Sequence, residues 1–433
     1  MPENQKMVKS AENDATTRPS APPSLDRTNG DHAVASSNTA PMVTDLRSTA
    51  ASVWQGRFRY NEIITLLDIN RRHNLAESTS SNLQLGELID LIGLESMRAL
   101  SLGYGSAQGY LPLREAVSAL AGVSADMVLT TQGTALGLFL LAFELCGHES
   151  EVVLTTPCFP PARDTLKACG ARINEIELSF DEGYRIDVKR IADALSPKTR
   201  LVSIASPQNP SGVCTSLQTI RSMLNAMTER APAALLLVDE TYREAVYGDS
   251  MPPASAAALD PRVITGSSVS KAHGAPGLRV GWLTVPDDAL RQRLMVAKMN
   301  VTISGSPVDE ALAASLLTNR ERFLAPRRRM LATALDEVRR WLAREQERLE
   351  WIQPEGGALC CVRLREDVFN EEAVSRFWTG LEEQDLQLAP GSWFGESSRV
   401  FRLGFGYMPP NCLMPALRAV SSHLDDVLAK TDC

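Results

Sequence analysis

The run Ser267-Ser-Val-Ser-Lys271-Ala-His-Gly274-Ala-Pro276-Gly277-Leu-Arg279-Val-Gly281 sets one lysine between a strand-like segment and a loop rich in Gly and Pro. Lysine ordinarily keeps its ammonium in water, so a lysine at such a junction is a candidate for chemistry. Burial and neighbouring cations lower the pKa of an amine until it becomes nucleophilic and can form a Schiff base with a carbonyl carbon. The same stretch contains Ser268-x-x-Lys271, a spacing used by acyl-transfer serines, but the accompanying Ser-Asp-Asn and Lys-Thr-Gly are absent. Cysteines and histidines offer no competing chemistry. The eight cysteines form no Cys-x-x-Cys pair and the five histidines have no ligand spacing. Reduced thiols in a cytoplasmic protein and no metal are expected.

A reactive lysine must be held by regular elements. Short apolar runs at Glu151–Thr155, Arg200–Ala205, Ala234–Asp239, Val263–Ile264 and Val280–Val285 alternate with longer amphipathic stretches such as Ser216–Glu229. The first three read as buried parallel strands, and the alternation implies an α/β fold around a mainly parallel sheet. Ligands of such sheets bind at the carboxyl ends of the strands. After Val285 the texture changes. A helix-compatible stretch, Asp309–Gln346, precedes mixed elements at Trp351–Leu364, Asn370–Gln384 and Val400–Phe405, and a final helix at Cys412–Leu428. This reads as a smaller α+β domain.

Bulk properties bound the function. The 433 residues carry 44 Lys+Arg against 52 Asp+Glu, a formal net charge of −8, which argues against nucleic acid or a polybasic membrane anchor. No apolar run approaches the ~20 residues that span a bilayer. Residues 1–50 have no aromatic side chain and are rich in Ser, Thr, Asn, Asp and Pro, so a disordered tail is expected there. The tail lacks the apolar core of a signal peptide and carries acids that a transit peptide avoids.

The lysine run resembles the cofactor-lysine motif of class I/II aminotransferases, the pyridoxal-phosphate (PLP) enzymes of fold type I. Further blocks follow in that family's order over about residues 74–428. They are Tyr104-x4-Gly109-x3-Leu113-Arg114, Gly133-Thr134-Ala135, Pro157-Cys158-Phe159, Asn209-Pro210-Ser211-Gly212, Asp239-x-x-Tyr242, Pro390-Gly391 and Phe401-Arg402-Leu403. The resemblance implies a disordered tail (1–50), the N-terminal part of a small domain (51–85), a large PLP-binding domain (86–300) and a C-terminal small domain (301–433).

It also implies roles. Lys271 would carry PLP as a Schiff base and later move protons. Asp239 would face the ring nitrogen, which keeps the ring protonated and electron-accepting. Asn209 and Tyr242 would bond the ring hydroxyl, and Phe159 would stack on the ring. Gly133, Thr134 and Ala135 would cradle the phosphate at a helix N-terminus, with Ser268, Ser270 and Arg279 completing the cradle. Tyr104 would reach the phosphate of a neighbouring subunit, which implies a homodimer with shared sites. Arg402 would pair with the substrate α-carboxylate, for which its planar fork suits it.

The reaction is less constrained, because one lysine–aspartate–arginine set serves several outcomes. Transamination of an L-α-amino acid is the leading expectation. However, Leu75-Ala76-Glu77 resembles 1-aminocyclopropane-1-carboxylate synthases, and the Ser-rich stretch ending in Gly86-Glu87-Leu88 is similar to capreomycidine-synthase-like enzymes. That resemblance implies elimination, cyclisation or substitution in specialised metabolism, with Glu77 or Ser78 meeting a substrate group. Some transcription regulators carry the same fold, but residues 1–50 supply no DNA-binding domain.

Overall fold

The computed structural model describes residues 56–430 apart from Asn70, so the expected disordered tail lies outside the described residues. Seven strands build the main sheet: β1 (Val128–Thr131), β2 (Glu151–Thr156), β3 (Arg172–Glu177), β4 (Thr199–Ala205), β5 (Leu235–Asp239), β6 (Val263–Ser268) and β7 (Gly281–Thr284). Their order is β1-β7-β6-β5-β4-β2-β3. β7 pairs antiparallel with both neighbours, and every other pairing is parallel.

Helices cover both faces of this sheet, and the period-two alternation of side chains shows why. Val152, Leu154, Leu201, Leu237 and Ile264 enter one apolar cluster, whereas Val153, Val202, Leu236, Val238 and Val263 enter the other. The first cluster is closed by α1 (Gly133–Leu145), α2 (Pro160–Ala168) and α3 (Asp288–Thr302); Ile220, Met223, Leu224 and Met227 of the helix Leu217–Arg230 close the second. That helix starts where Ser216 accepts a hydrogen bond from the Thr219 amide, as its sequence position allows.

The C-terminal portion has its own sheet and core. Leu349–Ile352, Leu359–Leu364, Ala389–Pro390 and Val400–Gly404 form a four-stranded antiparallel sheet, packed against the helices Arg320–Arg344, Glu371–Gly380 and Pro410–Ala429. The stretch expected to be one long helical region is divided. Pro307–Thr318 is one helix and Arg320–Arg344 another, with Asn319 between them. The first of these packs with Val128, Val269 and Trp282, on the main-sheet side. Among the described residues no helix is long and apolar enough to cross a membrane.

An early segment joins the two sheets. His73–Asn74 pairs parallel with Leu386–Gln387, and the Gly404 amide donates to Leu75 O at 2.7 Å. Further along, the Ser80 amide donates to Lys271 O (3.2 Å) and the Leu83 amide to Gly274 O (2.7 Å). Gly404 permits this closeness, since a Cβ there would stand 1.9 Å from Glu77 O. Gly404→Ala is therefore expected to lower stability by ~1–3 kcal/mol, the ordinary cost of overpacking. Gly86→Ala, whose Cβ meets nothing within 4 Å, should be neutral or slightly stabilising. Thermal unfolding of the two cofactor-free variants checks the contrast.

Candidate active site

A cavity of about 600 Å³ opens where the main sheet's parallel strands end. It is lined by Lys271, Asp239, Tyr242, Asn209, Phe159, Gly133, Thr134, Ala135, Ser268, Ser270, Arg279 and Glu77. Of the residues given a role in the sequence, Tyr104, Ser78 and Arg402 do not line it.

Adjacent strands fix the two central groups. Asp239 ends β5 and is level with Gly266 of β6, and Lys271 follows the end of β6 by three residues. Asp239 Oδ1 accepts hydrogen bonds from the Thr241 amide (3.0 Å) and hydroxyl (2.5 Å). The carboxyl is reached by the cavity yet shielded from bulk water. Burial therefore pushes its pKa up, against the downward pull of the Thr241 bonds and the Lys271 charge. A cationic nitrogen beside it would offset that penalty.

Around Lys271 the charges balance. Its Nζ lies 3.2 Å from Ser78 Oγ and 3.6 Å from Glu77 Oε1. Burial raises the Glu77 carboxyl, but Lys271, Arg402 and the Ser78 and Thr79 amides outweigh it and hold the pKa below its ordinary value. Tyr242 Oη is 2.8 Å from Ser78 Oγ.

The anion end is built from backbone and one guanidinium. α1 begins at Gly133 after Gln132, whose side chain makes no cap hydrogen bond, so the first amides face the cavity wall uncapped. Gly133 has φ +70°, and a Cβ on it would sit 2.5 Å from an Arg279 terminal nitrogen. Uncapped helix amides, the Ser268 and Ser270 hydroxyls and a guanidinium in contact with the helix start are a donor set that suits an anion such as phosphate.

Arg402 stands one layer behind the wall. It is 2 % exposed, donates to Asn209 Oδ1 (2.9 Å) and Ala76 O (2.6 Å), and lies 4.7 Å from the Phe394 ring centroid. Burial lowers its pKa, offset by Tyr242, Glu77 and Cys361. Each terminal nitrogen makes one of these bonds, and Nε has no partner among the described residues, so the guanidinium keeps N–H groups to give. Tyr104 is 86 % exposed on its own chain. Leu66, Ile69, Asn74, Asn82 and Tyr407 also line the cavity. Sequence reasoning missed them because isolated residues outside any motif give no signal.

An amine, a shielded carboxylate and an anion cradle in one cavity of an α/β sheet fit pyridoxal phosphate, and they define a PLP-dependent enzyme of fold type I. The chain belongs to the aminotransferase class I and II family, whose model matches residues 75–420. It is similar to the capreomycidine synthase of Streptomyces vinaceus, at 29 % identity over 357 residues, covering 81 % of this chain and 89 % of that protein. A PLP-dependent aminotransferase from Streptococcus suis superposes with TM-score 0.77 at 22 % identity, covering 84 % of this chain and 97 % of that one. A PLP-dependent cyclase, OrfR, superposes with TM-score 0.73 at 26 % identity, covering 82 % and 93 %.

Gly133→Ala should push its new methyl group into the Arg279 guanidinium and weaken PLP binding about tenfold or more, the equivalent of one charge-assisted hydrogen bond. Spectroscopic titration of the cofactor-free variant measures this.

Proposed function

We propose that this chain is a PLP-dependent aminotransferase that acts on an L-α-amino acid, with Lys271 as the cofactor-holding and proton-carrying amine. The observation that carries the reading is the convergence of Lys271, Asp239 and the Gly133–Arg279 cradle on one cavity. When bound, the cofactor supplies an aldehyde for the substrate amine and an electron-accepting ring.

The chain's own residues do the rest. Lys271 holds the group through Nζ and, once released, takes and returns a proton at that atom. The Asp239 carboxylate would hold a proton on the ring nitrogen, and Asn209 and Tyr242 would bond the ring hydroxyl. Phe159 covers a ring face. Ser268, Ser270, Arg279 and the Gly133, Thr134 and Ala135 amides neutralise the phosphate. Arg402, from behind Asn209, would draw the substrate α-carboxylate. Glu77 completes the substrate side.

A homodimer with shared sites is part of this reading, and Tyr104 would reach the partner's phosphate. Its support is a set of exposed apolar side chains on neighbouring elements: Leu102 (83 %), Phe143 (62 %) and Val296 (59 %). So is a division into a large domain (86–300) and a small one (51–85 with 301–433), supported by the His73–Asn74 pairing with Leu386–Gln387. The helix Pro307–Thr318 is an exception, packed on the main-sheet side. A cytoplasmic location is supported by the free thiols found at every described cysteine.

One observation favours a second reading. Glu77 and Ser78 reach Lys271 Nζ from a segment similar to cyclising relatives, and capreomycidine synthase matches most of this chain. Under that reading the same site eliminates or cyclises a specialised substrate.

Three experiments test these statements. Borohydride reduction of the loaded protein should leave the cofactor on the peptide containing Lys271, and Lys271→Ala should abolish that label. A single-turnover screen of amino acids should yield pyridoxamine phosphate and an oxo acid. Ammonia or a cyclic product without pyridoxamine phosphate selects the second reading. Arg402→Lys should lower kcat/KM about 10- to 100-fold, mainly through KM, as loss of a charged hydrogen-bonding fork predicts.

A further inference from the structure

The leading reading gives no task to a buried hydroxyl that touches the reactive lysine. Ser78 is 2 % exposed, and its Oγ lies 3.2 Å from Lys271 Nζ and 2.8 Å from Tyr242 Oη. Three polar atoms from three distant parts of the chain thus form one continuous line, Nζ to Oγ to Oη. Tyr242 is itself 5 % exposed. Water is therefore not needed to connect the two ends.

The position of Ser78 is set by its backbone. Its amide donates to Glu77 Oε1 (2.8 Å), and the strap continues into the Ser80 amide bond to Lys271 O (3.2 Å). Once released from the cofactor, Lys271 Nζ is an amine, the form in which the proposed function has it carry protons. A hydroxyl has one hydrogen and two lone pairs, so Ser78 can accept from the ammonium while donating to the phenol oxygen, or the reverse.

We propose that Ser78 is a catalytic residue that conducts a proton between Lys271 Nζ and Tyr242 Oη. As an N–H bond forms on the Lys271 amine, the Ser78 O–H breaks, and a new O–H forms on Ser78 as the Tyr242 O–H breaks. The lysine gains the proton that the tyrosine gives up, the serine is unchanged, and no further reactant is consumed. The reverse transfer returns the proton to Tyr242. Glu77 Oε1, 3.6 Å from Nζ, favours the charged end of the relay. The proposal rests on Lys271 and Tyr242 acting as described under the proposed function.

The test compares full-length wild type, Ser78→Ala, Tyr242→Phe, the double variant and Ser80→Ala. Ser80 is a neighbouring buried serine, 1 % exposed, whose hydroxyl has no recorded partner among the described residues. In cofactor-free protein, trace acetic anhydride labelling is read by peptide mass spectrometry, with exposed Lys198 as the internal standard. Ser78→Ala should change the labelling rate of Lys271 at least about threefold relative to Lys198, and Ser80→Ala should not.

In loaded protein, Ser78→Ala should lower kcat and α-hydrogen exchange into D2O about 10- to 100-fold with KM little changed. Its effect should not multiply with that of Tyr242→Phe: the double variant should be no slower than the slower single one. Unchanged Lys271 labelling, a kcat within twofold of wild type, or multiplicative losses each overturn the relay. Failure of the site reading looks different, because wild type itself would then trap no cofactor on Lys271. The labelling comparison still decides the Ser78–Lys271 contact in that case.

Discussion

The strap from Leu75 to Leu83 is the constraint on which the site depends. Its main chain is bonded at one end to Gly404 of the C-terminal sheet and at the other to Lys271 and Gly274 beyond β6. Neither sheet alone presents a complete site. The main sheet supplies the amine, the carboxylate and the anion cradle, and the strap brings Glu77 and Ser78 over the amine. A glycine at 404 makes the approach possible, since any side chain would meet the Glu77 carbonyl. Backbone hydrogen bonds shielded from water set this geometry more firmly than exposed ion pairs could.

Electrostatics follow from that placement. Four charged side chains meet in a small volume: Lys271, Glu77, Asp239 and Arg402. Glu77, Asp239 and Arg402 each carry a burial penalty, which neighbours of opposite sign or hydrogen bonds offset to different degrees. Glu77 lies within reach of two cations, which keep it ionised in spite of burial. Asp239 has only the Thr241 bonds and the field of Lys271, so burial wins and its pKa rises. The two carboxyls are therefore not equivalent. One is already satisfied within the protein, and the other is not.

Much of this was legible in the sequence because it sits in contiguous motifs. The run around Lys271 and the Asp239-x-x-Tyr242 turn each follow a strand whose apolar pattern marks it, whereas Gly133-Thr134-Ala135 stood out by its motif alone, because the strand before it, Val128–Thr131, is short and half threonine. Strand runs were read to within a residue or two at Glu151–Thr156 and Leu235–Asp239. The antiparallel course of β7 was not legible, because a buried strand reads the same in either direction. Nor was the break at Asn319, since nothing in its neighbours opposes a helix. Ser78 was marked as a substrate contact, and its contact with Lys271 depends on a pairing across 193 positions. Arg402 was recognised, but not its recess behind Asn209, which reflects how β-strand register meets a loop from another sheet.

The neighbouring positions of β5 and β6 have a consequence for how such a protein can diverge. Asp239 ends one of two hydrogen-bonded strands and Lys271 follows the end of the other by three residues, and the separation of the strands is fixed by backbone geometry and not by side-chain choice. The spacing of the acid and the amine is thus set largely by the sheet. Leu66, Asn74, Glu77 and Tyr407, by contrast, come from the early strap region and the last loop. Changes there can reshape the chamber around a different side chain while the ruler beneath it stays the same length. The scaffold therefore separates the part of the chemistry that cannot drift from the part that selection is free to rewrite.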